Sequence, residues 1–333
     1  MRPIVISCHS RPVSVVRFNR DGDLFFTASL DGSVSAFWTE PVERLGTYKS
    51  EGAVKSLSIS DDSKIIIIGS AINGIFVFEV ENGVKVNILP SYQLKQVEFA
   101  AGSRSFFLIH NYSKNTIVDI IQSSMFAVKV EDKAYDNAYT DSTKTTLVRS
   151  DVAYTKGAWG YLNRTIVLGT SKGHLDIFDV ATKSKIQSIS PHFEAITDIR
   201  FSMDFTLMIT ASRDSFCNVY DSVTMKTVRT YNAQRPLNSA VISPLVISDQ
   251  KYHAIIGGGQ ETRDVTITKA DQGGFEITVF NMMYGDEVGA LKGHFGPVHS
   301  VDVHPRGEII ISGSEDGYAR FHKLDNDYFT NKN

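Results

Sequence analysis

The sequence predicts an all-β fold, and specifically a seven-bladed β-propeller. Three observations support this fold: a strand motif that recurs about every 40 residues, turn residues after each strand, and the absence of long helical periodicity. A repeat of about 40 residues that contains four short strands is typical of one propeller blade. We therefore expect a single propeller over residues 1–333.

The first strand of each repeat has the pattern apolar-x-x-apolar-x-apolar. Copies begin at Val13, Val54, Leu94, Ile196, Leu237 and Val298. Their spacings are 41, 40, 102, 41 and 61 residues. The long gap leaves room for a seventh copy near Leu147–Tyr154 and for an insertion near 122–150 that is rich in Asp, Ser, Thr and Lys. We interpret this insertion as a surface segment, with a partner-binding loop as the alternative. The gap of 61 predicts a second insertion near 257–275.

The later strands of each repeat follow from turn signals. A turn such as Asn19–Gly22 leads into a second strand that ends in Gly, Ser or Thr, and a polar turn then leads into a third strand. The last repeat supplies only three strands of its own, while the chain starts with Ile4-Val5-Ile6 before the first repeat. An open ring would expose strand edges, so we expect this N-terminal strand to complete the last blade.

Three repeats also share a polar trio at offsets of 20 and 2 residues. The trios are His9, Ser29 and Asp31; His192, Ser212 and Asp214; and His294, Ser314 and Asp316. An Asp in a tight turn can accept hydrogen bonds from turn amides and from the His ring, while the His can reach the Ser on the neighbouring strand. We interpret the trios as structural braces.

The residue that completes such a brace in many WD repeats is a Trp six positions after the Asp. Here that position holds Phe37, Tyr220 and His322, and Trp38 lies one place further. A slip of one residue reverses the face of a strand side chain unless a bulge corrects it. We therefore expect weaker braces than in an ideal repeat.

Composition excludes several classes of protein. The net charge is −3, with no run of like charges that would indicate direct nucleic-acid binding. The apolar run Ile65–Ile68 is the size of a strand, so no membrane association is expected. Cys8 and Cys217 are far apart, which argues against a disulfide framework or a zinc site. The first seven residues are too short for a signal peptide, so we expect a cytoplasmic protein.

No motif indicates catalysis. A hydrolase needs one nucleophile beside one base, whereas the His-Ser-Asp trio recurs in three repeats. His294, His299 and His304 are spaced so that they cannot easily converge on a metal ion. The Gly257–Gly259 run lacks the Lys-Ser/Thr pair of a phosphate loop, and a strand-end turn explains it better. We expect no catalytic residue, no metal, no cofactor and no small-molecule substrate.

Several stretches resemble one family. They are MRPI at 1–4, FNRDGDLFFTAS at 18–29, ERLGTY at 43–48, FSMDFTLMITASRD at 201–214, VYDSVTMKT at 219–227, RPLNSAVISP at 235–244, GGGQETRDVT at 257–266, GHFGPVHSVDVHPRG at 293–307 and SGSEDGYARFHKLD at 312–325. With them the chain resembles the i subunit of eukaryotic translation initiation factor 3, a WD-repeat propeller family. The match is strong in the C-terminal half and good in the first blade. Blades two to four match only in outline, with Ser50-Glu51 in place of Gly-His and Ile72 in place of the turn Asp.

The resemblance implies a non-catalytic cytosolic scaffold. It would bind the b and g subunits of the same factor and support mRNA recruitment, scanning and start-codon selection on the small ribosomal subunit. In the family, a helix of the b subunit lies across blades five and six near acidic positions. Those positions match Asp204 and Asp221, with Val219 as an apolar neighbour, and Gln260 and Asp264 belong to a signature loop beside that face. Plain solvated turn residues are the alternative for the first two.

Two other functions remain open from the sequence. One is a different WD-repeat adaptor that resembles the serine/threonine kinase receptor-associated protein family, although the GGGQ-x-x-x-DVT stretch argues against it. The other is a propeller enzyme with its site at the channel mouth. That enzyme would need convergent acidic, His or metal-binding residues, which the sequence does not identify.

Overall fold

Seven similar sheets arranged in a ring make up the protein. The computed structural model describes residues 3–72, 74–127, 143–245, 251–260, 274–325 and 328–329. Within these ranges, 28 strands form seven four-stranded antiparallel sheets, and the first strand of each sheet packs beside the first strands of its two neighbours. The predicted all-β, seven-bladed propeller is confirmed.

Each blade has an inner, a second, a third and an outer strand. The inner strands are β2 (Val13–Phe18), β6 (Val54–Ile59), β10 (Leu94–Phe99), β14 (Tyr154–Trp159), β18 (Ile196–Phe201), β22 (Leu237–Ile242) and β26 (Val298–Val303). The second strands are β3 (Leu24–Ser29), β7 (Ile65–Ser70), β11 (Ser105–Tyr112), β15 (Thr165–Thr170), β19 (Leu207–Ser212), β23 (His253–Gly258) and β27 (Ile309–Ser314).

The remaining strands lie towards the rim. The third strands are β4 (Ser33–Trp38), β8 (Ile75–Glu79), β12 (Asn115–Gln122), β16 (Leu175–Asp179), β20 (Phe216–Asp221), β24 (Ile277–Asn281) and β28 (Ala319–Lys323). The outer strands are β5 (Glu43–Lys49), β9 (Lys85–Leu89), β13 (Lys144–Ser150), β17 (Lys185–Ile189), β21 (Thr227–Asn232), β25 (Glu287–Leu291) and β1 (Ile4–Ile6). Short 3-10 turns occupy Ser123–Ala127 and Tyr161–Asn163.

The N-terminal strand closes the ring. Strand β1 pairs antiparallel with β28, so that Ile4 lies opposite Phe321 and Ile6 lies opposite Ala319. Ile6 is buried against blade seven, while Ile4 is half exposed. The predicted closure is confirmed, and it joins the first residues of the chain to the last blade.

The fourth blade begins later than the sequence pattern predicted. Its inner strand starts at Tyr154, whereas Leu147 lies in β13, the outer strand of blade three. The predicted seventh copy near Leu147–Tyr154 was therefore wrong in its first part. The predicted insertion near 122–150 was also wrong at its end, since that part forms strand β13. The sequence pattern did not separate the two strands because an exposed outer strand and an inner strand both alternate apolar and polar residues. Residues 128–142 of that insertion lie outside the described residues.

The second predicted insertion begins where a strand ends. Gly257 and Gly258 are the last residues of β23, and Gly259 follows with a positive φ of 138°, a conformation that favours glycine. This agrees with a strand-end turn at the glycine run. Residues 261–273 lie outside the described residues.

The hydrophobic core lies between neighbouring blades. One cluster joins Phe26 of blade one to Ile66 of blade two, and another joins Phe25 of blade one to Ile309 of blade seven. Each sheet is therefore buried on both faces, and this explains apolar runs such as the fully buried Ile66–Ile68.

Every inner strand has a bulge, and in five blades the bulged residue bonds to the next blade. The register between every inner strand and its second strand shifts at the second residue of the inner strand. In blade four, that residue is Thr155, whose hydroxyl donates to the carbonyl of Ile196 of blade five at 2.6 Å. The same bond forms from Ser14 to Val54, Lys95 to Tyr154, Thr197 to Leu237 and Asn238 to Val298. The bulge thus turns a polar side chain towards the neighbouring blade.

Candidate functional site

The propeller has two faces with different polar chemistry. We call the face where the inner strands begin the upper face, and the face where they end the lower face. The His-Ser-Asp trios lie at the upper face, because each His precedes an inner strand and each Asp follows a second strand. Asp204 and Asp221 lie at the lower face, after an inner strand and at the end of a third strand.

The brace of blade five is a closed hydrogen-bond network. The Nδ1 atom of His192 lies 3.0 Å from the carboxylate of Asp214, and its Nε2 atom lies 2.7 Å from the hydroxyl of Thr210. Asp214 also accepts the amide hydrogens of Phe193 and Phe216, both at 2.9 Å. Burial lowers the pKa of His192, although the charge of Asp214 opposes this.

Blade seven repeats this arrangement with an added cation. His294 lies 3.1 Å from Asp316 and 2.7 Å from the hydroxyl of Ser312. The guanidinium of Arg320 donates to Asp316 at 2.8 Å. Burial opposes ionisation of Asp316, but the hydrogen bonds from His294 and from the amide of Phe295 outweigh it and hold the pKa of Asp316 well below its usual range.

The brace of blade one is looser. The Nε2 atom of His9 lies 2.8 Å from the hydroxyl of Thr27. Its Nδ1 atom lies 3.0 Å from Ser33 and 3.4 Å from Asp31, so Ser33 takes the closer position. Asp31 accepts the amide and the hydroxyl of Ser33 and the amide of Ser10.

The predicted contact between the His and the trio Ser was wrong. Ser29, Ser212 and Ser314 instead accept the amide of the Asp two residues later and donate to a loop carbonyl. The hydroxyl that meets each His belongs to the residue two places earlier on the same strand: Thr27, Thr210 or Ser312. The trio Ser lies at the end of its strand, where its hydroxyl caps the turn.

A sequence signal for these hydroxyl residues was present. The second strands of blades one, five and seven read LFFTAS, LMITAS and IIISGS, with a hydroxyl residue two places before the final Ser. In the other four blades, the residue of the second strand that pairs with the same position of the inner strand is apolar: Ile68, Leu108, Leu168 and Ile256. The braced blades can therefore be recognised by this position as well as by the His and the Asp.

The position that a Trp often fills is buried in all three braced blades. Phe37 stacks on Phe25 with ring centroids 5.0 Å apart, while Trp38 is 41% exposed and lies outside the brace. Tyr220 and His322 are almost completely buried. Burial raises the pKa of Tyr220 to about 12 and lowers the pKa of His322 to about 4.

Asp204 caps its own turn on the lower face of blade five. Its carboxylate accepts the hydroxyl of Ser202 at 2.6 Å, and the amide and hydroxyl of Thr206 at 3.1 and 2.8 Å. Slight burial opposes ionisation, but these hydrogen bonds outweigh it and lower the pKa of Asp204. The residue is exposed, so its negative charge is presented to solvent.

Asp221 caps the next turn of the same blade. Its Oδ1 atom accepts the amide of Val223 at 3.2 Å and the amide and hydroxyl of Thr224 at 2.7 Å, which lowers the pKa of Asp221. Its Oδ2 atom accepts no hydrogen bond from another described residue. The two turns are joined because the amide of Ser222 donates to the carbonyl of Thr206 at 3.0 Å.

Exposed apolar side chains neighbour the two carboxylates along the chain and occur on the adjacent turn of blade six. Met203 is 58% exposed and Val223 is 88% exposed, beside Asp204 and Asp221 respectively. The adjacent turn of blade six exposes Met283 and Tyr284, and Arg229 of blade five donates to the carbonyls of Met282 and Met283 and so holds that turn in place. We call this surface the acidic-apolar ridge; it comprises Met203, Asp204, Asp221, Val223, Met283 and Tyr284.

Two of the predicted partner contacts do not belong to the ridge. Val219 is 1% exposed and packs in the core between blades five and six, so its predicted role at a surface is wrong. Gln260 follows β23 at the upper face, opposite the ridge, and was wrongly placed beside Asp204 and Asp221. The strand order explains this, since a second strand runs towards the upper face. Asp264 lies outside the described residues.

The histidines considered as metal ligands have separate partners. His294 belongs to a brace, His299 lies 2.6 Å from Glu315, and His304 lies 3.1 Å from the carbonyl of Gly22. In the described part of the chain, no three His, Cys, Asp or Glu side chains are grouped closely enough to hold a metal ion.

The described residues include no helix long and apolar enough to span a membrane.

Comparison with known proteins identifies one family over the full length. The EIF3I family model matches residues 1–333. A protein of Aspergillus terreus named eukaryotic translation initiation factor 3 subunit I is 38% identical over 334 residues, which cover 99% of this chain and 96% of the relative. The protein of the same name from Dictyostelium discoideum is 34% identical over 330 residues, with the same coverage.

Among solved structures, the chain is similar to the β-propeller domain of Cps50 (Swd1) from Myceliophteria thermophila. The TM-score is 0.77 at 15% sequence identity, and the match covers 97% of this chain and 100% of that one. At this identity the likeness concerns the propeller fold alone.

Proposed function

The chain belongs to the family of subunit I of eukaryotic translation initiation factor 3, and on this premise we propose that it is the scaffold that holds the b and g subunits of that factor together. As a translation initiation factor subunit with a propeller fold it is non-catalytic, in agreement with the sequence prediction. The proposed role extends to mRNA recruitment, scanning and start-codon selection on the small ribosomal subunit, in the cytoplasm.

The acidic-apolar ridge is the proposed docking site for a helix of the b subunit. A helix that lies on a surface buries apolar side chains spaced three and four residues apart. Met203, Val223, Met283 and Tyr284 offer exposed apolar area for such a contact. Asp204 and Asp221 flank this area with two carboxylates that are held rigidly by their turns.

Charge supports a basic partner helix. Hydrogen bonds from Thr206 and Thr224 favour the ionised forms of Asp204 and Asp221, so both carry a negative charge at neutral pH. The free Oδ2 atom of Asp221 can accept a hydrogen bond from a Lys or an Arg of the partner. Close charge pairs at an interface can contribute about 2 kcal/mol or more each. The observation that carries the proposal is this pairing of two pre-oriented carboxylates with exposed apolar side chains.

Charge reversal tests the ridge. The double variant Asp204→Lys with Asp221→Lys should lose co-purification with the b subunit, because it replaces both attractions by repulsion. Blade two and blade four supply a matched control. Asp62 accepts hydrogen bonds from the hydroxyl of Ser60 and the amide of Lys64, as Asp204 does from its own neighbours. Asp179 accepts hydrogen bonds from the amide and hydroxyl of Thr182, as Asp221 does from Thr224.

The control double variant, Asp62→Lys with Asp179→Lys, removes equivalent turn caps elsewhere on the propeller. It should retain the b subunit. Retention by both double variants would reject the ridge as the docking site, and loss by both would show that turn stability, rather than the ridge, governs binding. The thermal midpoint of each variant, measured on the purified chain, separates these outcomes from unfolding.

A further inference from the structure

A cavity with a charged interior opens at the centre of the lower face. Its volume is about 550 Å³, and the inner strands of all seven blades line it. The part nearest the solvent is mixed in character, because apolar residues such as Phe18, Met203 and Phe205 line it together with Arg20 and Asp61. Deeper in the channel, ionisable side chains stand at the third and fifth positions of the inner strands. They are Arg17, Glu98, Lys156, Asp198, Arg200 and Asp302.

Three of these groups satisfy one another. The guanidinium of Arg200 donates to Asp198 at 3.2 Å and to Asp302 at 2.8 Å. Asp302 also accepts the amide of Phe18, and Asp198 accepts the hydroxyl of Ser239 at 2.8 Å. These bonds connect inner strands of different blades, so the triad of Arg200, Asp198 and Asp302 stabilises the wall of the channel. It carries one net negative charge.

The two other cations are not neutralised in this way. Arg17 donates through Nη1 alone, to the carbonyl of Val16 at 3.0 Å and to the hydroxyl of Ser300 at 3.3 Å. The ammonium group of Lys156 makes no hydrogen bond or ion pair with another described residue. Burial lowers the pKa of Lys156, against the raising effect of Asp198, and it also lowers the pKa of Arg17. Lys156 and the unused nitrogens of Arg17 present donors without acceptors to the cavity, and an anion beside them would favour their charged forms.

Glu98 is the one remaining acid among the six. Its Oε2 atom accepts the side-chain amide of Gln96 at 2.9 Å. Burial raises the pKa of Glu98 to about 7, against the lowering effect of Arg17 and Arg200, while Asp198 adds to the increase. With Lys156 protonated, the six groups carry a net charge of +1 when Glu98 is protonated and no net charge when Glu98 is ionised.

We propose that this channel cavity binds a small tetrahedral oxyanion, such as the phosphate group of a solute, between Lys156 and Arg17. A guanidinium with free nitrogens and an ammonium supply directed donors and a point charge, the combination that recognises phosphate in proteins. Met203 borders both this cavity and the acidic-apolar ridge, but Lys156 and Arg17, the proposed anion contacts, are not ridge residues.

Binding and proton uptake are coupled at this site. An anion next to Glu98 favours its protonated form, so binding should be tighter below pH 7 than above it. Burial opposes ionisation of Asp198, but the charge of Arg200 outweighs it and lowers the pKa of Asp198, so this carboxylate opposes the anion at both pH 6 and pH 8. Burial also lowers the pKa of Lys156, so the Glu98→Gln variant is needed to separate the contribution of Glu98 to this pH dependence.

Sulfate is the probe of choice because it remains a dianion between pH 6 and 8. Calorimetric titration of the full chain at constant ionic strength should show saturable binding, tighter at pH 6 than at pH 8. Lys156→Met removes the unpaired ammonium and should weaken binding about tenfold or more. Glu98→Gln retains the hydrogen bond from Gln96 and should tighten binding at pH 8 while matching the wild type at pH 6.

Lys172→Met is the control, since this exposed lysine of the same blade lies at the upper face. It should leave the affinity for sulfate unchanged. The absence of saturable binding would overturn the proposal, as would equal affinities for the wild type and Lys156→Met. A Glu98→Gln variant that binds sulfate no better than the wild type at pH 8 would also contradict it. Thermal melts of each variant establish that the ring is intact.

Discussion

Blades five and two have the same shape and different interiors. At the matching position of the second strand, blade five has Thr210 and blade two has Ile68, and both are completely buried. In the upper turn, blade five has Asp214, bonded to His192, whereas blade two has Ile72, which is 56% exposed. The comparison teaches that strand pairing and the core between blades are sufficient for the blade geometry. The brace adds a fixed conformation of the turn.

The two blades share the serine at the end of the second strand. Ser212 accepts the amide of Asp214 at 3.2 Å, and Ser70 accepts the amide of Ile72 at 3.2 Å. Each serine also donates to a carbonyl of the preceding loop. This serine therefore caps the turn in braced and unbraced blades alike, and it does not by itself identify a brace.

On the lower face, the same two blades have similar turns but different surroundings. Asp62 of blade two and Asp204 of blade five cap their turns with the same kinds of hydrogen bonds. What differs is the surroundings, because blade five has the exposed Met203 and Val223 where blade two has Asp61 and Glu81. A partner that selects blade five must therefore read the apolar neighbours together with the charge.

The largest effect on stability is expected from removing strand β1, which closes the ring beside the braced blades one and seven. Deleting residues 1–7 exposes the edge of β28 and removes the burial of Ile6, so the free energy of unfolding should fall by about 3 kcal/mol or more. Urea unfolding followed by tryptophan fluorescence measures this. Val5→Ala, at a half-exposed position of β1, should have little effect. A truncated chain as stable as the intact one would show that bracing of blades one and seven closes the ring without β1.

A smaller effect is expected from the turn that distinguishes blade five from blade two. Asp214→Ala leaves His192 and the amides of Phe193 and Phe216 without their acceptor, which should cost about 1 to 3 kcal/mol. Ile72→Ala, in the matching turn of blade two, should change stability by about 0.5 kcal/mol or less because Ile72 is exposed. Thermal or urea unfolding of both variants provides the measurement. If the two changes had equal effects, the brace would have no energetic role.

The smallest effect is expected in the pH dependence of stability, to which the braced blades seven and five should contribute differently. Burial lowers the pKa of His322 to about 4, so the unfolded chain, with a His pKa near 6.5, binds more protons between these values. Stability is therefore complete above about pH 6.5 and is lost as the pH falls towards 4. His322→Leu should reduce the stability loss between pH 7 and pH 6 by about 0.7 kcal/mol.

Tyr220 of blade five provides the matched comparison for His322. Burial raises the pKa of Tyr220 to about 12, so this side chain does not titrate between pH 7 and pH 5. Tyr220→Phe should therefore leave the pH dependence of unfolding unchanged. An unchanged slope in His322→Leu would show that His322 is protonated equally in the folded and unfolded chain. Urea unfolding at pH 5, 6 and 7 gives the slopes.

The sequence by itself determined the number of blades, the closure by β1 and the identity of the three braced blades. Local patterns carry this information, because strand periodicity, turn residues and the fixed offsets of His, Ser and Asp are all contained in one repeat. The pattern failed at Leu147, where an outer strand alternates apolar and polar residues as an inner strand does.

Only the tertiary structure decided which side chains meet. The partner of His192 is Thr210 rather than Ser212, because the depth of the His ring between two strands, and not the spacing along the chain, selects the hydroxyl. Val219 is buried because blade six packs against blade five there, and the charges of Arg17 and Lys156 share one cavity because the ring brings blades one and four to a common centre. The last two of these contacts join residues from different repeats, so no single repeat contains the information that specifies them.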